Sequence, residues 1–217
     1  MSGERKNSRS LRSACRQDVC APSNWRTFCA IELPENACAR ATERIKRLRQ
    51  EFSDINASWN SSGNFHLTLK FLGEIPQTRV GGLSRAATLA VEGFSPFKIV
   101  VEGVGAFPAH SPPKVLWIGI SDPTKKLGEL YETLGEECAK EGFTKETRPF
   151  HPHLTLARLR KPHGARTLAA AHKEMPFAAI EVDVSELLVI RSELSSEGSK
   201  YSVISRHSLG ARASLPA

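Results

Sequence analysis

The chain of 217 residues has no apolar run approaching the eighteen or so that a membrane-crossing helix requires. Its first twenty residues also lack the apolar stretch of a secretory leader, so the sequence reads as cytoplasmic, with no membrane partner. Cysteine is scarce: five residues, at positions 15, 20, 29, 38 and 138, form an odd set without paired C-x-x-C spacing. That argues against both a disulfide framework and a zinc knuckle and leaves reduced thiols. Neither G-x-G-x-x-G nor G-x-x-x-x-G-K-[ST] occurs, so no Gly-rich loop is indicated to cradle a nucleotide, and no G-x-S-x-G elbow marks a serine nucleophile. Acidic residues are the minority charge, 23 against 30 Lys and Arg, a net of +7. The excess suits a polyanionic partner, and it serves plain solubility equally well.

What is present is a globular composition, 40% hydrophobic, sufficient for a core. Residues 1–24 are the exception: Arg5, Lys6, Arg9, Arg12 and Arg16 outnumber Glu4 and Asp18 among many serines. They read as a disordered basic tail. The two acids and the missing amphipathic period do not fit an organelle transit peptide. Residues 25–210 read as one folded domain and 211–217 as a C-terminal tail.

The most informative stretch is Phe65-His66-Leu67-Thr68-Leu69-Lys70-Phe71, because His-Leu-Thr-Leu returns 87 positions later in Pro152-His153-Leu154-Thr155-Leu156-Ala157-Arg158. On a strand, alternate side chains share a face, which puts each His with its own Thr and sends the Leu residues to the other side. Phe65, Leu67, Leu69 and Phe71 are then expected in a core. Two such strands side by side would turn two imidazoles toward one cleft. Imidazole gains and loses a proton near neutral pH, so a pair of them can supply a general acid and a general base. A single His on a strand is more often structural; the repetition argues otherwise, unless an old duplication kept only its packing.

Around these strands the periodicity predicts a strand over 25–33, a helix over 35–52, a polar loop over 53–63 carrying Trp59, and a helix over 78–91. Trp59 suits base stacking or a plug in the core. A strand over 97–102, a Gly/Pro turn over 103–113 and a strand over 114–120 should form a hairpin. A helix follows over 122–141, with Asp122 as cap and Pro123 in its first turn. Three closing strands are expected at 177–182, 186–191 and 201–205. The fold class is therefore α+β, with mostly antiparallel sheets in two similar halves.

A metal site is the alternative use of the histidines, since His151 and His153 form H-x-H and His163, His172 and His207 lie downstream. No Cys or carboxylate stands beside His151 and His153 at ligand spacing, and Pro152 restricts the backbone between them. No metal and no cofactor are expected. A metal-free pair of histidines, each with a hydroxyl two residues on, in a basic protein, suits phosphodiester hydrolysis: one His takes a proton from water, the other protonates the leaving alkoxide, and Thr, Arg and Lys hold the non-bridging oxygens.

At this point the sequence resembles the 2H phosphoesterases, and among them the RNA 2′,3′-cyclic phosphodiesterases, also called 2′-5′ RNA ligases. Phe28-Cys-Ala-Ile-Glu-Leu-Pro34 is similar to the opening strand of that family, Asn64 to Gly73 to its first motif, Gly105-Ala-Phe-Pro108 with Val115-Leu-Trp117 to its middle hairpin, Arg148 to Arg158 to its second motif and Leu188 to Leu194 to a closing strand. The likeness covers residues 25 to 209; Phe65 stands where the family more often has Leu. It implies a two-lobed fold with helices outside and a central cleft, no cofactor, and hydrolysis of an RNA 2′,3′-cyclic phosphate end to a 2′-phosphomonoester, with 2′-5′ ligation as the reverse. His66 would be the proton donor, His153 the proton acceptor, and Thr68, Thr155 and Arg158 phosphate ligands; the near-symmetry makes the swap of the two His roles easy to imagine. Strict alternation from His153 puts Arg158 on the wrong face, so either the strand ends or bulges by Ala157, or Arg158 is structural. A monomer acting on an RNA end is expected. Alternatives are a cyclic phosphate on a small nucleotide or ADP-ribose, and a non-catalytic module that binds a nucleotide or RNA end.

Overall fold

The computed structural model describes residues 23–195 and 198–210, so the expected tails lie outside the described residues apart from Ser23 and Asn24. The described chain runs β1 (Asn24–Glu32), α1 (Glu35–Glu51), β2 (Ala57–Trp59), β3 (His66–Pro76), α2 (Val80–Val91), β4 (Phe97–Phe107), β5 (Val115–Ser121), α3 (Lys126–Lys140), β6 (His153–Leu159), α4 (Ala165–Glu174), β7 (Ile180–Val184), β8 (Glu186–Ser195) and β9 (Gly198–Ser208). The strands form two sheets, one in the order β3-β1-β8-β9 and the other β2-β6-β5-β4-β7. Every pairing among the described residues is antiparallel. The fold is the expected two-lobed α+β arrangement, with a sheet in each lobe.

Helices α2 and α3 pack on each other and against the first sheet, and α4 packs on β4 of the second. Helix α1 buries Ala37, Ala41, Ile45 and Leu48, the stripe its sequence spacing predicts. Between them sits Arg44, a buried cation whose guanidinium donates to the carbonyls of His172, Met175 and Pro176 and so ties α1 to the end of α4. The core strands are closed to water: Leu67, Leu116, Ile118 and Leu156 have no exposed surface. Truncating one of them to Ala costs about 2–5 kcal/mol.

Four expectations are corrected. The loop over 53–63 contains a strand, β2, which extends the second sheet beside β6. The Gly/Pro turn over 103–113 is shorter than expected, because β4 runs on through Gly103 to Phe107; its register shift between Val101 and Val104 takes up Glu102 and Gly103, where φ is 69°. Helix α3 starts at Lys126, four residues after Asp122, whose carboxylate reaches forward to accept from the Leu127 (2.8 Å) and Gly128 (3.3 Å) N–H groups. Finally, α4 stands where no element was expected. Its buried stripe is Ala165, Leu168, Ala169 and His172, and a histidine in the core position breaks the apolar period that would have revealed it.

The two His strands are not neighbours in one sheet. Strand β3 is the edge of the first sheet and β6 lies one strand in from the edge of the second. They approach each other across the junction of the lobes.

Candidate active site

In the first lobe β3 pairs His66 with Glu32 and Thr68 with Ala30, which fixes both on the inner face of the sheet. The floor of that face is a small apolar cluster of Phe28, Ala30, Leu188 and Ile190, with Tyr201 against it. The His66 ring stacks on Phe28 at 4.8 Å and meets Tyr201 edge-on at 5.0 Å. Neither ring nitrogen has a hydrogen-bond partner among the described residues. Burial against aromatic carbon strips water from the charged form and pushes the His66 pKa down to about 4.

The second lobe treats its histidine differently. His153 lies beside Phe107, edge-on at 5.4 Å, and Trp117. Its Nδ1 is 2.6 Å from the His151 carbonyl. A carbonyl only accepts, so the proton sits on Nδ1 and the Nε2 lone pair stays free. Burial lowers the His153 pKa most; the His151 carbonyl acts the other way, and the Arg158 charge adds to the lowering. Gly105 makes room for this arrangement: a Cβ there would fall 2.2 Å from the Trp117 ring, so the indole lies flat over bare backbone.

Each His strand also carries a bulge, and at the same place. On β1 the partners step from Ala30↔Thr68 to Cys29↔Lys70, leaving Leu69 as the extra residue of β3. On β5 they step from Trp117↔Thr155 to Leu116↔Ala157, leaving Leu156 as the extra residue of β6. A bulge sets two residues against one and inverts every face beyond it. In the second lobe Ala157 thereby enters the core and Arg158, exposed, returns to the face of His153 and Thr155. In the first lobe Lys70 turns inward, 7% exposed, and its Nζ donates to the Thr144 carbonyl at 2.8 Å. Phe71, expected in the core, comes out on the inner face with 53% of its surface exposed. The guanidinium of Arg26 rests on its ring, 4.6 Å from the centroid.

The strands are held together by Asn60, which sequence reasoning passed over. Its side-chain N–H2 donates to the Thr155 carbonyl at 3.2 Å and to the Asn64 carbonyl at 3.3 Å, linking β6 to the turn that enters β3. Trp59 pairs with Ala157 and packs against the core, the plug of its two expected uses. Phe28 was not legible as a site residue, because the opening strand is apolar on both faces and shows no alternation, and Tyr201, on β9, is brought to that face only by the pairing of β9 with β8 and β8 with β1.

The remaining histidines are spread out. His172 is fully buried with Nε2 3.0 Å from the Trp117 carbonyl, and burial pushes its pKa down to about 4. His207 sits between Thr88 (2.9 Å) and Ser205 (2.8 Å). No group of three or more His, Cys, Asp or Glu able to hold a metal ion occurs among the described residues. No helix there is long and apolar enough to cross a membrane.

The pattern of the 2′-5′ RNA ligase superfamily matches residues 33–195. The chain is 34% identical over 180 residues to the RNA 2′,3′-cyclic phosphodiesterase of Thermotoga maritima, covering 82% of this chain and 92% of that protein. To the protein of the same name from Aeropyrum pernix it is 32% identical over 167 residues, 74% of this chain and 92% of the other. Among solved structures, TT0787 of Thermus thermophilus superposes with a TM-score of 0.69 at 25% identity, covering 85% of this chain and 97% of that one. Escherichia coli LigT complexed with 3′-AMP gives 0.65 at 25% identity, with 87% and 99% covered. With a family pattern across most of its length, and with its two bulged His-Leu-Thr-Leu strands carried by that fold, the chain belongs to the 2′-5′ RNA ligase superfamily of 2H phosphoesterases.

Proposed function

We propose that the protein is an RNA 2′,3′-cyclic phosphodiesterase that opens the cyclic phosphate at an RNA end by metal-free, two-histidine catalysis. The observation that carries this is the matched bulge: each lobe offers a His and a Thr on one face, and the second bulge returns Arg158 to the side of His153. Relatives named for the same activity support the reaction class.

His153 is the base. Its Nδ1 proton is committed to the His151 carbonyl, so Nε2 is the atom that takes a proton from water. The water oxygen bonds to phosphorus, the P–O3′ bond breaks, and His66 gives its proton to the departing O3′, leaving a 2′-phosphomonoester. Thr68, Thr155 and Arg158 hold the non-bridging oxygens as charge builds on them. Burial holds the His66 pKa well below 7 in the free protein, so His66 becomes an acid only when a phosphate anion makes the imidazolium favourable. By microscopic reversibility the same groups serve 2′-5′ joining.

The test is an oligonucleotide bearing a 2′,3′-cyclic phosphate, incubated with the protein in EDTA, followed by identification of the end group. A 2′-phosphate is expected at an undiminished rate. A 3′-phosphate, or turnover that returns only with a divalent ion, refutes the mechanism.

A further inference from the structure

We infer that Arg26 binds the phosphodiester on the 5′ side of the terminal nucleotide, so that the protein distinguishes an RNA end from a free cyclic mononucleotide. The inference rests on the cyclic-phosphodiesterase reading and names the substrate class within it.

Phe71 and Arg158 occupy the same place in the two lobes, five residues after their histidines and beyond matching bulges. One lobe presents a guanidinium there directly. The other presents a ring, and Arg26 lays a guanidinium on it. Arg26 stands opposite Glu74 and Ser192 in the strand register, on the face shared by Phe28 and Phe71. Yet it forms no ion pair with Glu74, and among the described residues it makes no side-chain hydrogen bond at all. Stacking holds a guanidinium by its face and leaves the in-plane N–H donors free, and those donors fit a phosphate. The cation is fixed and unused.

Position along β1 supplies the rest. Ala30, opposite Thr68, is four residues from Arg26, about 13 Å at strand rise. Arg26 thus lies further along β1 than Thr68 and His66, on the side toward which the phosphodiester behind the terminal nucleotide extends. The concavity at that end, about 200 Å³, includes Asn24, Arg26 and Ser192 in its lining, with Glu74 and Glu193. The Glu193 carboxylate is already held by Arg191 at 2.9 Å. In the opposite direction β1 ends at Glu32, on a groove of about 1070 Å³ that also carries Glu35, Glu43, Glu181, Asp183 and Glu186 against Lys46. A polyanion is repelled from that mouth and leaves past Arg26.

The test compares 2′,3′-cyclic AMP with an ApA dinucleotide ending in a 2′,3′-cyclic phosphate, on the wild type, Arg26→Ala and Arg26→Lys. Arg26→Ala is expected to lose roughly tenfold or more in kcat/KM on the dinucleotide, mostly in KM, as one charge-assisted phosphate contact implies, and less than about twofold on the mononucleotide. Arg26→Lys should fall between, keeping the charge without the stack. The salt dependence of the dinucleotide reaction should also flatten by about one phosphate contact in Arg26→Ala. Equal losses on both substrates, or no loss on either, overturn the inference while leaving the function standing. A wild type that turns over neither substrate overturns the function, and the inference with it.

Discussion

The two lobes carry the same four-residue motif with the same bulge after it, yet they place their histidines in opposite surroundings. His66 is packed by carbon, stacked on Phe28 and edged by Tyr201, with no polar partner among the described residues. His153 is anchored through Nδ1 to a backbone carbonyl and has Arg158 on its own side of the strand. Similar strands therefore produce unlike acid–base groups. A fixed tautomer with a free lone pair suits a base, and an imidazole packed by aromatic rings and hydrogen-bonded to none of the described residues is charged only when the substrate brings an anion. The asymmetry that a paired acid and base need comes from what packs on each strand rather than from the motif.

The comparison breaks most visibly if either histidine is removed. His66→Ala and His153→Ala should each lower kcat by roughly 10²–10⁴-fold, while the double variant should lose far less than the product, because in the proposed mechanism the two act in one displacement. Single-turnover hydrolysis by variants of unchanged circular dichroism measures this. A folded His153→Ala that keeps a tenth of wild-type turnover would make the second motif structural.

Next in size come the proposed phosphate ligands. Arg158→Ala should cost more than Thr155→Ala or Thr68→Ala, roughly tenfold to hundredfold against less than that, since a charged donor is lost rather than a hydroxyl. Arg158→Ala should also let the His153 pKa rise, because the Arg158 charge helps hold it down. Titration of the imidazole by NMR reads that shift; an unmoved His153 would place Arg158 too far away to act.

The pH dependence sharpens the contrast between free and occupied cleft. The proposed mechanism needs His66 protonated and His153 neutral, and both pKa values lie below the ordinary 6.5 in the free protein, that of His66 at about 4. The bell for kcat/KM should therefore lie on the acid side of neutrality. In the complex the phosphate anion favours the imidazolium, so the alkaline limb of kcat should move up in pH. Coincident limbs would argue that the substrate does not tune His66. Tyr201→Leu and Phe28→Leu should raise the free-protein pKa of His66 by opening it to water.

The smallest expected effect is on stability. His66, His153, His172 and His207 are all held below the pKa of an exposed imidazole, by burial first in each case. Between about pH 4 and 6.5 the unfolded chain then binds more protons than the folded one, so stability is complete above that window and falls as pH drops through it. Urea midpoints at pH 7.5 and 4.5 test the sign. A midpoint that rises on acidification would contradict it.

Much of this was legible beforehand. The paired motifs, the stripe of α1 and the hairpin of β4 and β5 all follow from side-chain period, which is a local property of the chain. So do His66, Thr68, His153 and Thr155 as residues sharing a strand face. The errors fall where a side chain answers to a distant partner. Alternation alone sends Phe71 to the core, whereas the bulge by Ala157, one of the ways the sequence left open for Arg158 to reach the face of His153, is present. Helix α4 hid behind His172, a polar residue made at home in the core by the Trp117 carbonyl.

What the sequence by itself determined is the chemistry available: two imidazoles, two hydroxyls and a surplus of cations, at spacings that extended backbone turns toward one side. What the tertiary structure decided is which face each side chain takes after the first four residues of the motif, and what surrounds it there. The reason is that a bulge belongs to a pair of strands. Leu69 and Leu156 become the extra residues only because β1 and β5 step past them, and one skipped partner reverses the side chains that follow, until on β3 a second step, from Phe28↔Phe71 to Thr27↔Gly73, reverses them again.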